Sequence, residues 1–147
     1  MTEALEISPV GRAALYAREV PQGSAIDTMG IRPTWAADGT ARAEMVVEDH
    51  HLNQVGVVQG GVYALLADAV AGWAAMSVLP EGKSFVTLDL RINLLRAIRS
   101  GSRLIAEALP VHSGSTTLVF EVRVHADSAT AAKPAAFFVC TQLVVSG

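Results

Sequence analysis

The 147-residue sequence has few of the residues that build several common kinds of site. Its one cysteine, Cys140, excludes an intramolecular disulfide and a cysteine-based zinc cluster. Eleven Lys and Arg against fourteen Asp and Glu give a formal charge of -3, so no global charge attracts nucleic acid or an anionic membrane. The P-loop, G-x-G-x-x-G and G-x-S-x-G patterns are also absent. The sequence therefore argues against a nucleotide-binding loop and a serine nucleophile elbow.

Long apolar runs are scarce as well. No export signal is expected, because the stretch from Ala13 to Val20 is interrupted by charged residues. Together with the single cysteine, this predicts a cytoplasmic protein. Residues 62–79 form an eighteen-residue run with one charge, Asp68, near its middle. A central Asp costs about 3 kcal/mol on membrane-insertion scales, so we expect a helix buried by protein and no membrane span.

The chain is rich in apolar side chains: 51% of its residues are hydrophobic and 17% are charged. This composition predicts one folded domain with a sizeable core. Residues 1–22 read as a short peripheral segment that ends at the Pro21-Gln22-Gly23 break, and residues 23–147 read as the domain.

The order of elements predicts an α+β fold. An Asp-Gly turn joins two extended runs in a hairpin, one long apolar helix follows, and short turns connect the remaining strands. We therefore expect a mainly antiparallel sheet of five to six strands wrapped around the helix. The predicted strands are Ala25–Trp35, Thr40–Glu48, Ser84–Ala97, Arg103–Val111, Thr117–His125 and Ala135–Val145, and the predicted helix is Val62–Leu79.

The third strand has the most regular pattern. Strict alternation predicts one apolar face and places Thr87 on the opposite face, among polar side chains. The apolar face is Val86, Leu88, Leu90, Ile92 and Leu94.

Two features of the sequence are candidates for a catalytic site. Gly60 and Gly61 begin the long helix, where free backbone N–H groups and the helix dipole can stabilise an oxyanion, although two glycines can also simply allow the chain to turn. Asp68 is the only charge inside the apolar helix, and it is either catalytic or structurally paired. Gly60 and Asp68 are eight residues apart, a rise of about 12 Å, so both can act on one carbonyl only at a homodimer interface.

Other residues give weaker signals. His50 and His51 would point to opposite faces of a strand, with no further ligand at metal-binding spacing, so no metal site is expected. Cys140 reads as a buried structural thiol. Four arginines lie close together in the sequence and form either a solvated strand edge or a binding site for a phosphorylated ligand. They are Arg91, Arg96, Arg99 and Arg103.

The loop and helix together resemble the signature of hotdog-fold acyl-CoA thioesterases of the phenylacetate-pathway (PaaI-like) type. Leu88 to Arg96 is similar to the third strand of that family, and the resemblance covers residues 25–146. The matching run is His51-x-Asn53-x-x-Gly56-x-x-Gln59-Gly60-Gly61-x-x-x-x-Leu66-x-Asp68.

The resemblance implies a hydrolase of acyl thioesters with a site shared by two subunits, in a homodimer or a homotetramer. It implies that Gly60 polarises the thioester carbonyl, that Asn53 places the substrate or water, and that Asp68 of the partner subunit acts as general base or nucleophile. It further implies that Thr87 orients the water. Coenzyme A would be part of the substrate and not a cofactor, with Arg96 and Arg99 near its phosphates and Gln59 and Gly61 beside the substrate.

One motif position departs from the family, since Gln59 stands where many members have His. Its amide can donate a hydrogen bond but cannot act as a general acid. A non-catalytic acyl-thioester binder or assembly module, and an acyl-thioester hydratase or dehydratase, therefore remain alternatives. The acyl group and the carrier, coenzyme A or a protein, stay open, and Tyr63, Trp73 and Phe85 either line the acyl site or fill the core.

Overall fold

The computed structural model describes residues 19–130 and 132–147. It contains a helical turn α1 (Ala25–Thr28), a 3₁₀ helix (Asp49–His51) and a long helix α2 (Gly60–Met76). The strands are β1 (Arg32–Ala37), β2 (Thr40–Val46), β3 (Lys83–Leu94), β4 (Arg103–Ser113), β5 (Thr117–Ala126) and β6 (Ala136–Ser146). Most of the predicted peripheral segment, residues 1–18, lies outside the described residues.

The strands form one antiparallel sheet in the order β1-β2-β4-β5-β6-β3. This architecture confirms the predicted α+β fold with one long helix against one sheet. The alternating residues of β2 and β5 bury their apolar members, as the period-two pattern predicts. Asp38 and Gly39 both have positive φ, 51° and 77°, which is the geometry of the tight hairpin turn predicted between β1 and β2.

Helix α2 is apolar on nearly every side because protein surrounds it. Twelve of its seventeen residues are buried, including Leu66, Val70 and Trp73. Its C-terminal end is tied to the hairpin turn, since the Ser77 hydroxyl donates to the Ala74 carbonyl (2.6 Å) and accepts from the Gly39 N–H (2.7 Å). No helix in the described part of the chain is long and apolar enough to cross a bilayer.

The first predicted strand is wrong over Ala25–Thr28, which forms the turn α1. Ser24 caps this turn by accepting a hydrogen bond from the Asp27 N–H (3.3 Å), and Gly30 follows with a φ of 66°. A local cap and a positive-φ glycine thus outweigh the extended preference of the neighbouring residues.

The third strand also departs from its predicted pattern. It ends at Leu94 and not at Ala97, and the N–H groups of Leu95 and Arg96 turn to the Ala135 carbonyl. A bulge at Leu88 breaks the alternation, because β3 advances from Thr87 to Asp89 while its partner β6 advances only from Gln142 to Thr141. The strict nine-residue alternation expected from the sequence is therefore wrong.

Candidate active site

Asp68 and Thr87 are joined by a hydrogen bond. The Thr87 hydroxyl donates to one Asp68 carboxylate oxygen over 2.8 Å and connects α2 to the edge strand β3. Asp68 is partly buried, so it is neither a solvated surface charge nor a sealed core group. A carboxylate held in this way keeps its second oxygen available to a water molecule.

The bulge at Leu88 explains how Thr87 reaches Asp68. Thr87 lies directly opposite Gln142, which is fully buried, and residues directly opposite one another in an antiparallel pair share a face. The extra residue then places Leu90 opposite buried Cys140, on that same face. The sequence-based placement of Thr87 on the face away from Leu90 is wrong, because the bulge changes the parity of the strand.

Asp68 opens into a cavity of about 360 Å³. Its walls combine one face of α2 with Phe85 of β3, with α1 and with the chain that precedes α1. The lining residues are Glu19, Val20, Pro21, Ile26, Asp68, Ala69, Gly72, Trp73 and Phe85. Trp73 and Phe85, whose place was open from the sequence, are thus part of this wall, whereas Gly72 and Ile26 were not foreseen.

Gly60 is the first residue of α2, and Gln59 is its N-cap. No described residue accepts a hydrogen bond from the Gly60 N–H, as expected for the first turn of a helix. A Cβ added at Gly60 would lie 3.1 Å from the Leu94 side chain, so the backbone passes close to β3 here. Gly60 lies in a second cavity, of about 330 Å³, whose lining includes Asn53, Tyr63 and Arg96.

Asn53 shapes the loop before α2. Its side-chain oxygen accepts hydrogen bonds from the Val55 N–H (3.0 Å) and the Val57 N–H (3.2 Å). Asn53 therefore holds the loop through its oxygen, and its amide nitrogen is the group left for a substrate. Gly56, with a φ of 79°, allows the turn between these residues.

The comparisons with known proteins identify the family of the chain. Residues 55–132 match the family model described as "Thioesterase superfamily". The chain belongs to the thioesterase superfamily. A Haemophilus influenzae protein that carries a provisional esterase name is 32% identical over 104 residues, which are 71% of this chain and 75% of that protein.

Two solved structures extend the likeness. A hypothetical thioesterase of Streptococcus pneumoniae, solved with coenzyme A, is similar at a TM-score of 0.72 and 26% identity, over 79% of this chain and 86% of that one. The Escherichia coli PaaI protein of the phenylacetic acid degradation operon matches in fold, at a TM-score of 0.82 and 24% identity, over 94% and 96% of the two chains.

In this thioesterase the loop before α2 is anchored by His51, for which the sequence had suggested no anchoring role. His51 is buried, its Nδ1 accepts from the Glu48 N–H (2.9 Å), and its Nε2 donates to the Met29 carbonyl (3.1 Å). Burial lowers the pKa of His51 below 6.5 and favours this neutral form. The His51 carbonyl also accepts from the Gln59 N–H (2.9 Å), so the buried ring fixes the start of α2.

Gln59 itself turns its side chain to solvent and makes no capping bond, and Gly61 is exposed. The two histidines lie on the 3₁₀ helix and not on a strand, with ring centroids 3.9 Å apart, so the expectation that they point to opposite faces is wrong. Among the described residues, no group of three or more His, Cys, Asp or Glu could hold a metal ion.

The four arginines near the end of β3 fall into two groups, those with an acidic partner and those without. Arg91 contacts Asp89 (3.3 Å) and Arg103 contacts Glu44 (3.6 Å), so each has an acidic partner. Arg96 and Arg99 are exposed and form no ion pair with any described residue. Arg96 lines the Gly60 cavity, and the Arg99 guanidinium lies 3.7 Å from where a Cβ on Gly56 would be. The loop, the start of α2 and two unpaired cations therefore cluster together.

Proposed function

We propose that this protein hydrolyses acyl-coenzyme A thioesters at a site shared by two copies of the chain. The observation that carries the proposal is the Thr87–Asp68 hydrogen bond of 2.8 Å, whose Asp68 carboxylate lines a largely apolar cavity. A carboxylate fixed on one oxygen beside an apolar space is suited to act on a water molecule next to a bound acyl group.

The sharing between two copies follows from the separation of the two half-sites. Gly60 and Asn53 belong to one cavity, whereas Asp68 belongs to another. Eight residues of helix separate Gly60 from Asp68 by about 12 Å, too far for both to contact one thioester carbonyl. A second copy that presents its own Asp68 to the Gly60 cavity would complete the site.

In the proposed reaction, the carboxylate of Asp68 accepts a proton from water, and the water oxygen attacks the thioester carbonyl carbon. The Gly60 N–H of the other copy donates to the oxyanion that forms, helped by the dipole of α2. The C–S bond then breaks, the acid leaves, and the thiolate takes up the proton that Asp68 accepted from water, which restores the carboxylate. In the alternative route the Asp68 carboxylate attacks the carbonyl carbon itself, the C–S bond breaks with release of the thiolate, and water then hydrolyses the resulting anhydride to the acid and free Asp68.

The surface of β3 offers a place for the second copy. This strand is an edge of the sheet, and its apolar residues Val86, Leu88, Ile92 and Leu94 are 39–58% exposed. Unpaired edges with exposed apolar side chains favour association. A further exposed apolar group on the other half of the sheet, Trp35, Leu109 and Val111, supports a homotetramer of two such dimers.

The unpaired Arg96 and Arg99 support coenzyme A as the carrier, because guanidinium groups bind phosphates well. The likeness to a thioesterase solved with coenzyme A points the same way. Asn53, Gln59 and Gly61 would place the pantetheine end and the thioester near Gly60. Coenzyme A is then part of the substrate, no other cofactor takes part, and the single buried Cys140 fits a cytoplasmic enzyme.

Replacing Gly60 with proline tests the proposal, because proline removes the backbone N–H donor while its ring keeps the helical backbone angle. Proline is well tolerated at the first position of a helix, and Gln59 already has the extended backbone (φ -63°, ψ 137°) favoured before proline. We expect Gly60→Pro to reduce kcat for acyl-CoA hydrolysis by about a hundredfold or more. Gly60→Ala is the matched control, since it adds the same Cβ against Leu94 but keeps the N–H.

Mixing two inactive variants tests whether the site is shared. If Gly60→Pro and Asp68→Asn chains are co-expressed, mixed dimers carry one intact site, and statistical pairing restores about a quarter of wild-type activity. No restoration in oligomers shown to be mixed would overturn the shared site. No hydrolysis of any acyl-CoA by the wild type would favour the non-catalytic binder.

A further inference from the structure

The cavity at Asp68 has dimensions and charges that restrict what can enter it. We propose that it is the acyl pocket and that it selects uncharged, apolar acyl groups of up to about ten non-hydrogen atoms. This inference rests on the proposed thioesterase function and adds the substrate class to it.

The size follows from the volume. The cavity measures about 360 Å³. At about 30 Å³ per non-hydrogen atom, the share of one molecule in liquid water, it holds on the order of ten such atoms. An acetyl group would leave most of this space unfilled, and a palmitoyl group, with about seventeen non-hydrogen atoms, exceeds this volume.

Gly72 and Phe85 bound this cavity on two sides. Gly72 lies one helical turn beyond Asp68, a rise of about 6 Å, and both residues line the cavity, so it extends along α2 from the carboxylate. A Cβ added at Gly72 would lie 3.0 Å from the tip of the Phe85 ring, which shows that the ring closes directly onto the bare helix backbone. Any larger residue at position 72 takes space from the pocket or displaces the ring.

The charge preference follows from the lining. Every charged residue that lines this cavity within the described chain, Asp68 and Glu19, is acidic, and the other lining residues are uncharged. An acyl group with a carboxylate at its far end would place a third negative charge beside them, in a partly water-excluded space. Dicarboxylic thioesters are therefore disfavoured relative to simple acyl thioesters of equal length.

The experiment measures kcat/KM for saturated acyl-CoA substrates from two to sixteen carbons, for an arylacetyl-CoA, and for ω-carboxyl substrates of matched length. The wild type should prefer medium-length and aromatic groups. Gly72→Ala should shift the preference to shorter chains, with a loss of about tenfold for each methylene that no longer fits. Phe85→Leu should shift it to longer chains, and Glu19→Gln should raise relative activity on ω-carboxyl substrates several-fold.

Phe137→Leu is the matched control for Phe85→Leu, because Phe137 lies on β6 opposite Asn93 and does not line the cavity. Thermal unfolding shows whether each variant is folded. Active variants with an unchanged chain-length profile would overturn the pocket while leaving thioesterase activity intact. If the wild type hydrolyses no substrate, calorimetry with non-hydrolysable acyl-CoA thioethers measures binding to the pocket independently of catalysis. Affinities that do not depend on chain length would then overturn the proposed acyl pocket.

Discussion

The hydroxyl of Thr87 donates a 2.8 Å hydrogen bond to the carboxylate of Asp68, across the gap between the edge strand and the long helix. This bond exists because one extra residue, Leu88, turns β3 so that Thr87 faces α2. The local irregularity of the strand thus positions the pair of side chains on which the proposed chemistry depends.

The first prediction concerns this pair. Asp68→Asn removes the proton acceptor, so we expect kcat to fall by about a hundredfold or more, with little change in thermal stability. Thr87→Val removes the hydroxyl at similar size and should lower kcat by about tenfold, since the carboxylate loses the group that orients it. Steady-state thiol release measures both variants. Thr87→Ser keeps the hydroxyl and should retain activity, and equal losses in Ser and Val variants would contradict this role.

The second prediction concerns the two arginines without acidic partners. Arg96→Ala and Arg99→Ala should each raise KM for acyl-CoA by about tenfold and leave kcat nearly unchanged, because phosphate contacts are made equally in the ground and transition states. The same variants should not affect the corresponding acyl-pantetheine, which lacks those phosphates. Arg91→Ala, which removes an arginine already paired with Asp89, is the control. An unchanged KM in both variants would point to a different carrier site.

A third prediction concerns pH. The pKa of buried His51 is lowered from 6.5 in the folded protein, so the unfolded chain binds more protons as the pH falls below that value. We expect the free energy of unfolding to be constant above about pH 7 and to decrease as the pH drops through about 6.5 toward 5. Urea titrations at several pH values measure this slope. It should be smaller in His51→Asn, and an unchanged slope in that variant would contradict this assignment.

The fourth prediction concerns buried Gln142, which lies next to Thr87 in the sheet. Its Oε1 has no hydrogen-bond partner among the described residues, and its Nε2 has only a long contact, 3.9 Å, to the Cys140 sulfur. Replacing this amide with the similarly shaped Met should therefore stabilise the protein by about 1 kcal/mol, since it relieves an unpaired buried group. Urea unfolding measures the change, and a loss of stability would indicate that the amide is satisfied in solution.

Local patterns in the sequence were sufficient for most of the architecture. The Asp-Gly turn, the apolar stretch around Asp68 and the alternation in β2 and β5 each depend on neighbours within a few residues, and the structure agrees with them. The motif from His51 to Asp68 likewise pointed to the family that the comparisons show. The turn at Ala25–Thr28 was missed, because the Ser24 cap and the positive φ of Gly30 decided it.

The tertiary structure decided how segments that are distant in the sequence lie relative to one another. The place of β3 beside β6, the bulge that turns Thr87 toward Asp68, and the closure of Phe85 onto Gly72 all depend on which strand pairs with which and in what register. An alternating sequence pattern shows that a strand has one apolar and one polar face. A one-residue bulge reverses which residues lie on which face beyond it, and the sequence pattern does not reveal this. The sequence by itself therefore determined the elements and the candidate residues, whereas packing across the sheet and helix determined which of those residues meet.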